Sequence, residues 1–350
     1  MERDKASLTR TRKGAAKVDS ATLLYLIVAT TLLFEFANGW NDAANSIATV
    51  VSTRVLSPLA AVVWAAFWNF FAAFVFGTAV AKTMGKGLVH LQLVNEWVLL
   101  AGLFGAVIWT AVCTWMGLPI SVSHSLMGGY GGAAVAKAGL DAIIISGWTK
   151  PIIFIFVSPI VGFFAALIVT FATTWLLRRQ PPQRIDRWFR RLQLVSAAGY
   201  SLGHGTNDAQ KGMGIIWAAL IANNWLAADT AHPPWWVIIT CHLAIASGTV
   251  AGGWNVIKTM GQHITKLTPF GGFAAESAGA LTLFATAQAG IPVSTTHTIT
   301  GAIIGVGAVR RFSAVRWGVT HRILWAWVLT IPGAAALGAL LYYLFEGIVS

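Results

Sequence analysis

Four acidic side chains lie inside apolar stretches of this sequence, Glu35, Asp42, Asp208 and Glu276, whereas the other eight of its twelve acids fall in termini or predicted connections. An ionisable group at membrane depth costs about 2.5–3.5 kcal/mol on insertion scales, so it is seldom kept without a partner or a task. Asp42 and Asp208 each follow an asparagine, and amides crowd both positions: Asn41 and Asn45 around the first, Asn207 and Gln210 around the second. Carboxylate, amide and carbonyl oxygens are hard ligands, suited to a desolvated cation such as Na+, for which Asp42 and Asp208 would be the metal ligands. A buried carboxylate can instead carry H+, and residue types alone do not separate the two. The small residues Gly39, Ala43, Ala44, Gly205, Ala209 and Gly212 predict that each helix breaks here and turns carbonyls inward. The plainer alternative, an Asn-Asp pair capping a helix start, is weakened because the pair occurs twice, both times in apolar surroundings. Glu35 stands two helical turns before Asp42 and can line the same path. Glu276 is either an asymmetric cation or proton ligand or the partner of Lys211, the one cation beside an Asn-Asp pair.

A second constellation is rich in hydroxyls. GLPISVSHSLMGGYGG at 117–132 returns as GIPVSTTHTITGAIIG at 290–305, with six identities in sixteen positions. Pro119 and Pro292 suit a first helical turn, and Ser121, Ser123 and Ser125 in one copy match Ser294, Thr296 and Thr298 in the other, with Thr295 between them. Unpaired N–H groups and the positive end of the dipole make such a helix start an oxyanion site that needs no arginine. The alternative is that these hydroxyls bond only to their own helix. His124 and His297 also match. Neighbours in a helix point in different directions and no acid lies nearby to complete a triad, so support within the hairpin or a proton relay is expected rather than catalysis. No nucleotide-binding loop or zinc-ligand helix is present.

The elements that carry these residues belong in a bilayer. Of 350 residues 56% are hydrophobic and 10% charged, well under half the charge of an ordinary soluble domain, which excludes soluble-enzyme folds. About ten apolar stretches approach the roughly 20 residues of a spanning helix. The net charge of +12 is concentrated, with six Lys and Arg in residues 1–17 and six arginines between 178 and 191. That is the mark of cytoplasmic flanks rather than of nucleic-acid binding. Residues 1–17 lack the short apolar core of a removable signal, and Cys113 and Cys241 provide neither a disulfide framework nor a metal site. The Asn-Asp strings at 39–43 and 205–209, a Lys-Thr-Met-Gly string at 82–85 and 258–261 and the hydroxyl-rich strings lie 166, 176 and 173 residues apart, which divides the chain into a basic tail (1–19), a first membrane repeat (20–177), a basic connecting segment (178–191) and a second repeat (192–348). Such halves are often inverted, with substrate and ion sites at their interface. Inversion would put the N-terminus and the 178–191 segment on opposite sides although both are basic.

FEFANGWNDAANSIATVVSTR at 34–54, GHGTNDAQKGMGI at 203–215 and the two Pro-Ser-His hairpins at 119–124 and 292–297 resemble the inorganic phosphate transporter (PiT) family, in particular its bacterial low-affinity permeases. The resemblance implies an all-α polytopic integral membrane protein, two inverted repeats with re-entrant helical hairpins, that imports phosphate by alternating access with Na+ or H+, including as a metal–phosphate complex. The resemblance implies a transporter and not an enzyme. It implies that Asn41, Asp42, Asn45, Asn207, Asp208, Gln210 and Glu276 serve cation coupling, that Ser121, Ser123, Ser125, Ser294, Thr295 and Thr296 contact phosphate, and that His124, His297 and Lys211 support them. The alternative within the family is a sulfate or related oxyanion permease. Two departures stand out: the central connection is short where many relatives have a long hydrophilic loop, and Asn69 stands where cation-coupled animal relatives have an acid. No cofactor is expected beyond the coupling ion. The expected partners are phosphate, the cation and the lipid of a cell (inner or plasma) membrane, with no nucleic acid, and a homodimer is compatible with the sequence.

Overall fold

Helix starts and stops in this chain follow its local chemistry. Ser57, Asn95, Ser121, Thr268 and Ser294 each accept a backbone N–H from the first turn that follows them, and Pro58 and Pro269 occupy first helical positions, where a missing N–H costs nothing. Gly117 ends its helix at φ 72°, a left-handed conformation that glycine adopts without strain. The computed structural model describes residues 19–75, 77–84, 87–227 and 229–349, so all but the last residue of the predicted basic tail lies outside it. Twelve α-helices occur among these residues: α1 Ser20–Ser52, α2 Pro58–Phe71, α3 Ala79–Met84, α4 Glu96–Met116, α5 Val122–Ala138, α6 Ile145–Leu177, α7 Pro182–Ala222, α8 Trp235–Ala251, α9 Trp254–Lys258, α10 Pro269–Gln288, α11 Thr295–Arg310 and α12 Trp317–Val349. No strand occurs among them. The protein is an all-α membrane protein.

Four helices among the described residues, α1, α4, α6 and α12, are long and apolar enough to cross a bilayer alone, and α8 with α9 and its continuation to His263, bent by 66°, forms either a broken span or a re-entrant loop. The other predicted stretches are carried differently. Stretch 194–222 is part of the 41-residue α7, whose basic first turns and polar middle lower its apolar character. It begins at Pro182, so most of the 178–191 connection is helix. At 17 and 16 residues, α5 and α11 rise only about 25 Å, less than the roughly 30 Å hydrocarbon core. With α4 and α10 they form two tight hairpins through the turns at 117–121 and 289–294.

The two halves lend elements to each other. A β-carbon at Gly39 of α1 would collide with the Ile245 carbonyl of α8, and one at the equivalent Gly205 of α7 with the Asn69 carbonyl of α2. Gly128 and Gly132 of α5 lie against the Ile331 and Ala335 carbonyls of α12, while their equivalents Gly301 and Gly305 of α11 lie against Pro159 and Phe163 of α6. The repeat-equivalent helices α1 and α7 run antiparallel: Tyr25 packs edge-on against Trp225 at one end, and at the other Thr53 bonds Gln193 (2.9 Å) and Arg190 reaches the Arg54 carbonyl (3.4 Å). That second end gathers the six arginines of 178–191 with Arg54, Lys266, Arg311 and Arg316; Asp19, Glu96, Asp141, Asp229 and Glu346 lie at the first.

Candidate functional site

The expected break at the Asn-Asp pairs is absent. Helices α1 and α7 run unbroken through Asp42 and Asp208, and the small residues serve instead to bring helices together, so that the two carboxylates come to lie side by side in the core, 2% and 1% exposed. The start of α11 closes over them. Thr295 Oγ1 donates toward Asp208 Oδ2 (3.0 Å) and lies 3.3 Å from Asp42 Oδ2; Thr296 Oγ1 lies 3.1 Å from Asp42 Oδ1 and 2.9 Å from the Ile120 carbonyl, and Asn45 Nδ2 donates to Thr296 Oγ1 (3.0 Å). Tyr200 fixes the same turn by donating to the Thr295 carbonyl (3.0 Å). Two neighbouring hydroxyls of one half, the repeat-matched Thr296 and the unmatched Thr295, thus bind the acids of both.

His204, not singled out from sequence, completes the cluster. Its Nε2 lies 3.2 Å from Asp208 Oδ2 and 3.7 Å from Asp42 Oδ2. Asn69 spends its amide N–H on Thr249 Oγ1 (3.0 Å), so its oxygen is the acceptor for His204 Nδ1 at 3.1 Å. Nδ1 therefore carries the proton of that bond, and Nε2 is left aimed at two carboxylates, a place for a second proton or for a cation between them. Asp42, His204 and Asp208 each offer a ligand atom within 4.8 Å of the others, and three nitrogen or oxygen donors of this kind fit a hard or borderline cation. The spacing of four between His204 and Asp208, one helical face, was the signal available in sequence.

On the other side, Lys211 Nζ bonds Asp208 Oδ1 and Ser123 Oγ, and lies 3.4 Å from the Val293 carbonyl. It thus ties the acids to the starts of both hairpin helices. Ser121 and Ser294 cap those starts by accepting from the His124 and His297 N–H groups (3.4 and 3.2 Å). A void of about 10 Å³, room for about one water, lies against Ser123, His124 and Ser294. It shares Pro151 and Pro292 with a cavity of about 410 Å³ beside Lys150 and Ser146 at the start of α6. The His124 and His297 rings meet at 5.0 Å, and His297 stacks on Trp327 at 3.7 Å.

Other expected site residues do not join this network. Ser125 and Thr298 bond back to the Ser121 and Ser294 carbonyls (3.5 and 2.9 Å). Asn41 donates to Thr114 Oγ1 (2.8 Å) and Asn207 to the Gly203 and Leu283 carbonyls (3.0 and 3.1 Å), because a residue next to an aspartate in a helix faces another way. Gln210 caps α3, accepting from Val80 and Ala81 N–H (2.8 and 3.1 Å). Glu276 bonds Gln193 (3.1 Å) and Ser196, not Lys211. Glu35 accepts from the Gly212 N–H (2.7 Å) and from Asn38 (3.3 Å).

Comparison with known proteins bears on what this cluster does. A model described as the phosphate transporter family matches residues 38–338. A probable low-affinity inorganic phosphate transporter of Rhizobium meliloti is 53% identical over 321 residues, 92% of this chain and 96% of its own, and one of Bacillus subtilis is 42% identical over 326, 93% and 97%. Among solved structures, one titled the sodium-dependent phosphate transporter superposes with a TM-score of 0.83 at 25% identity, covering 93% of this chain and 99% of its own.

Proposed function

The chain belongs to the phosphate transporter family, and on that premise we propose that it is a symporter that carries inorganic phosphate through the membrane together with Na+ or H+. It is a transporter and not an enzyme. The observation that carries the reading is the direct bonding of two buried carboxylates to the hydroxyls at the start of a hairpin helix, Thr295 and Thr296. An oxyanion drawn to the N–H groups and hydroxyls of α5 and α11 would arrive within hydrogen-bond reach of Asp42 and Asp208. Without a positive companion that approach is repulsive, and in a desolvated interior it is strongly so. A cation held by Asp42 and Asn45 beside His204 and Asp208 offsets it, so anion and cation bind together or poorly.

Ser121, Ser123, Ser294, Thr295 and Thr296 then receive the phosphate, with Ser125 at the following turn. Asn41, Asn207, Gln210 and Glu276 act at a distance by holding helices α4, α10, α3 and α7 against the cluster. The small void beside Ser123 has no room for phosphate, so the side chains around it must move for the anion to enter. The antiparallel course of α1 and α7 and the exchanged glycine contacts support two inverted repeats, 20–177 and 192–348, that move against one another to expose the site alternately.

The test is uptake of labelled phosphate by proteoliposomes under an imposed Na+ gradient, a pH gradient or neither, with sulfate as competitor. Accumulation above equilibrium under one cation gradient, unaffected by excess sulfate, is expected. Uptake indifferent to every gradient would make the protein a passive pathway, and displacement by sulfate would make it a broader oxyanion permease.

A further inference from the structure

The two aspartates head half-sites of one plan, filled differently. Three residues after Asp42 stands Asn45; three after Asp208, at the repeat-equivalent position, stands Lys211. A spacing of three keeps each on the face of its aspartate, and each reaches from its long helix to the start of a hairpin helix: Asn45 Nδ2 to Thr296 Oγ1 on α11, Lys211 Nζ to Ser123 Oγ on α5. In the Asp42 half-site the Asn45 amide oxygen is buried with no hydrogen-bond donor. Its orientation follows from the amide N–H bonds to hydroxyls that themselves donate onward. The amide oxygens of Asn38, Asn41 and Asn207 are also buried without a donor; that of Asn45 differs in lying on the face of its aspartate, where it suits a cation. In the Asp208 half-site the equivalent place holds an ammonium, ringed by a carboxylate, a hydroxyl and a carbonyl, the oxygen types a hard cation takes. Lys211 is 1% exposed, so these oxygens stand in for its water.

We propose that Lys211 is a tethered cation that fills the Asp208 half-site, so that only the Asp42 half-site takes up a mobile cation in each transport cycle. This rests on the symport reading above. One of the two carboxylate charges is neutralised within the chain, and the positive charge that the hydroxyl-rich anion site lacks is supplied from α7 through Ser123. The driving cation then enters the rate law once at this cluster, where two open half-sites would bring it in twice.

The binding side is read by melting the purified protein at rising Na+, with choline holding ionic strength constant. In Asp42→Asn, where Lys211 still fills the second half-site, Na+ leaves the melting temperature unmoved. In Asp42→Asn combined with Lys211→Asn, the vacated Asp208 half-site gains an amide oxygen, and Na+ raises the melting temperature by at least about 2 °C at saturation. A cooperatively melting double variant that Na+ does not stabilise overturns the proposal, as does an equal Na+ shift in Asp42→Asn alone. Should the double variant fail to fold, Lys211→Asn alone decides on the same assay: a second Na+-binding step absent from the wild type supports the proposal, and a titration identical to the wild type overturns it. In proteoliposomes, wild-type uptake is first order in the driving cation, and a second-order dependence also overturns it. Absence of any cation-driven uptake by the wild type would instead defeat the symport reading and leave the melting comparison to judge Lys211 on its own.

Discussion

At the scale of single residues, the site is a set of acceptors waiting for positive charge and a set of donors waiting for negative charge, joined by Thr295 and Thr296. Ser123 and Thr296 each donate or accept at the hairpin starts, and a hydrogen bond to a charged group contributes about 1.5–3 kcal/mol. Ser123→Ala with Thr296→Ala therefore raises the half-saturating phosphate concentration at least about tenfold; an unchanged value in a titration of uptake against phosphate would remove both hydroxyls from the anion site. Much of this chemistry was legible because the repeat marks it: Asp42 with Asp208, Ser123 with Thr296 and His124 with His297 stand out when the chain is laid on itself. His204 was not, since its repeat equivalent is Asn38 and only the spacing of four to Asp208 identifies it. Gln210 sits amid the motif yet caps α3, a partner about 130 residues away in sequence, which no local pattern reveals.

At the scale of helices, small residues explain how charged groups can be packed into a bundle core. The glycines read from sequence as breaks, Gly39 and Gly205, are contact points, and Gly132 and Gly305 are as well: where Gly132 meets the Ala335 carbonyl and Gly305 meets that of Phe163, a side chain has no room, and close approach through small residues is how helices associate where burial from water cannot drive them. Gly132→Ala or Gly305→Ala destabilises by about 1–3 kcal/mol although alanine is the better helix former. In contrast, Gly199→Ala, whose β-carbon would meet only Ala280 Cβ at 3.9 Å, gains about 0.5–1 kcal/mol. Melting of the three purified variants checks the contrast; equal effects at Gly132 and Gly199 would mean that the α5–α12 contact is loose. Hairpins were legible from the repeated hydroxyl strings and their capping serines, but Pro119 and Pro292 lie in the turns two residues before Ser121 and Ser294 and not in a first helical turn, because the serines take the cap positions. The continuity of α1 and α7 was not, because glycine and alanine permit both a break and a close crossing, and the choice depends on the helix opposite.

At the scale of the whole molecule, the arginines and the cavity lie at opposite ends. Under the positive-inside rule the arginines of 178–191 with Arg54, Arg311 and Arg316 would put their end in the cytoplasm, although the six Lys and Arg of residues 1–17 precede α1, which begins at the other end, and the 410 Å³ cavity at the start of α6 lies at that other end of the 33-residue helix. On the symport reading this cavity, which Lys150 lines, serves as the access route from outside. Ser146→Cys is accordingly labelled by a membrane-impermeant thiol reagent added outside cells, the native Cys113 and Cys241 being buried, and labelling only from the cytoplasmic side would invert this orientation. Sequence alone revealed the basic clusters but not that α1 begins at the end opposite to the arginines, which takes the antiparallel packing of α1 on α7 to see. The central claim is that the anion is held only in company with a cation at the paired aspartates. It is tested most directly by titrating phosphate onto the purified protein with and without the driving cation, Na+ at constant pH and then pH at constant Na+. The account predicts that the cation tightens phosphate binding, that phosphate tightens cation binding by the same factor, and that Asp42→Asn abolishes both effects; phosphate binding of equal strength in every condition would contradict it.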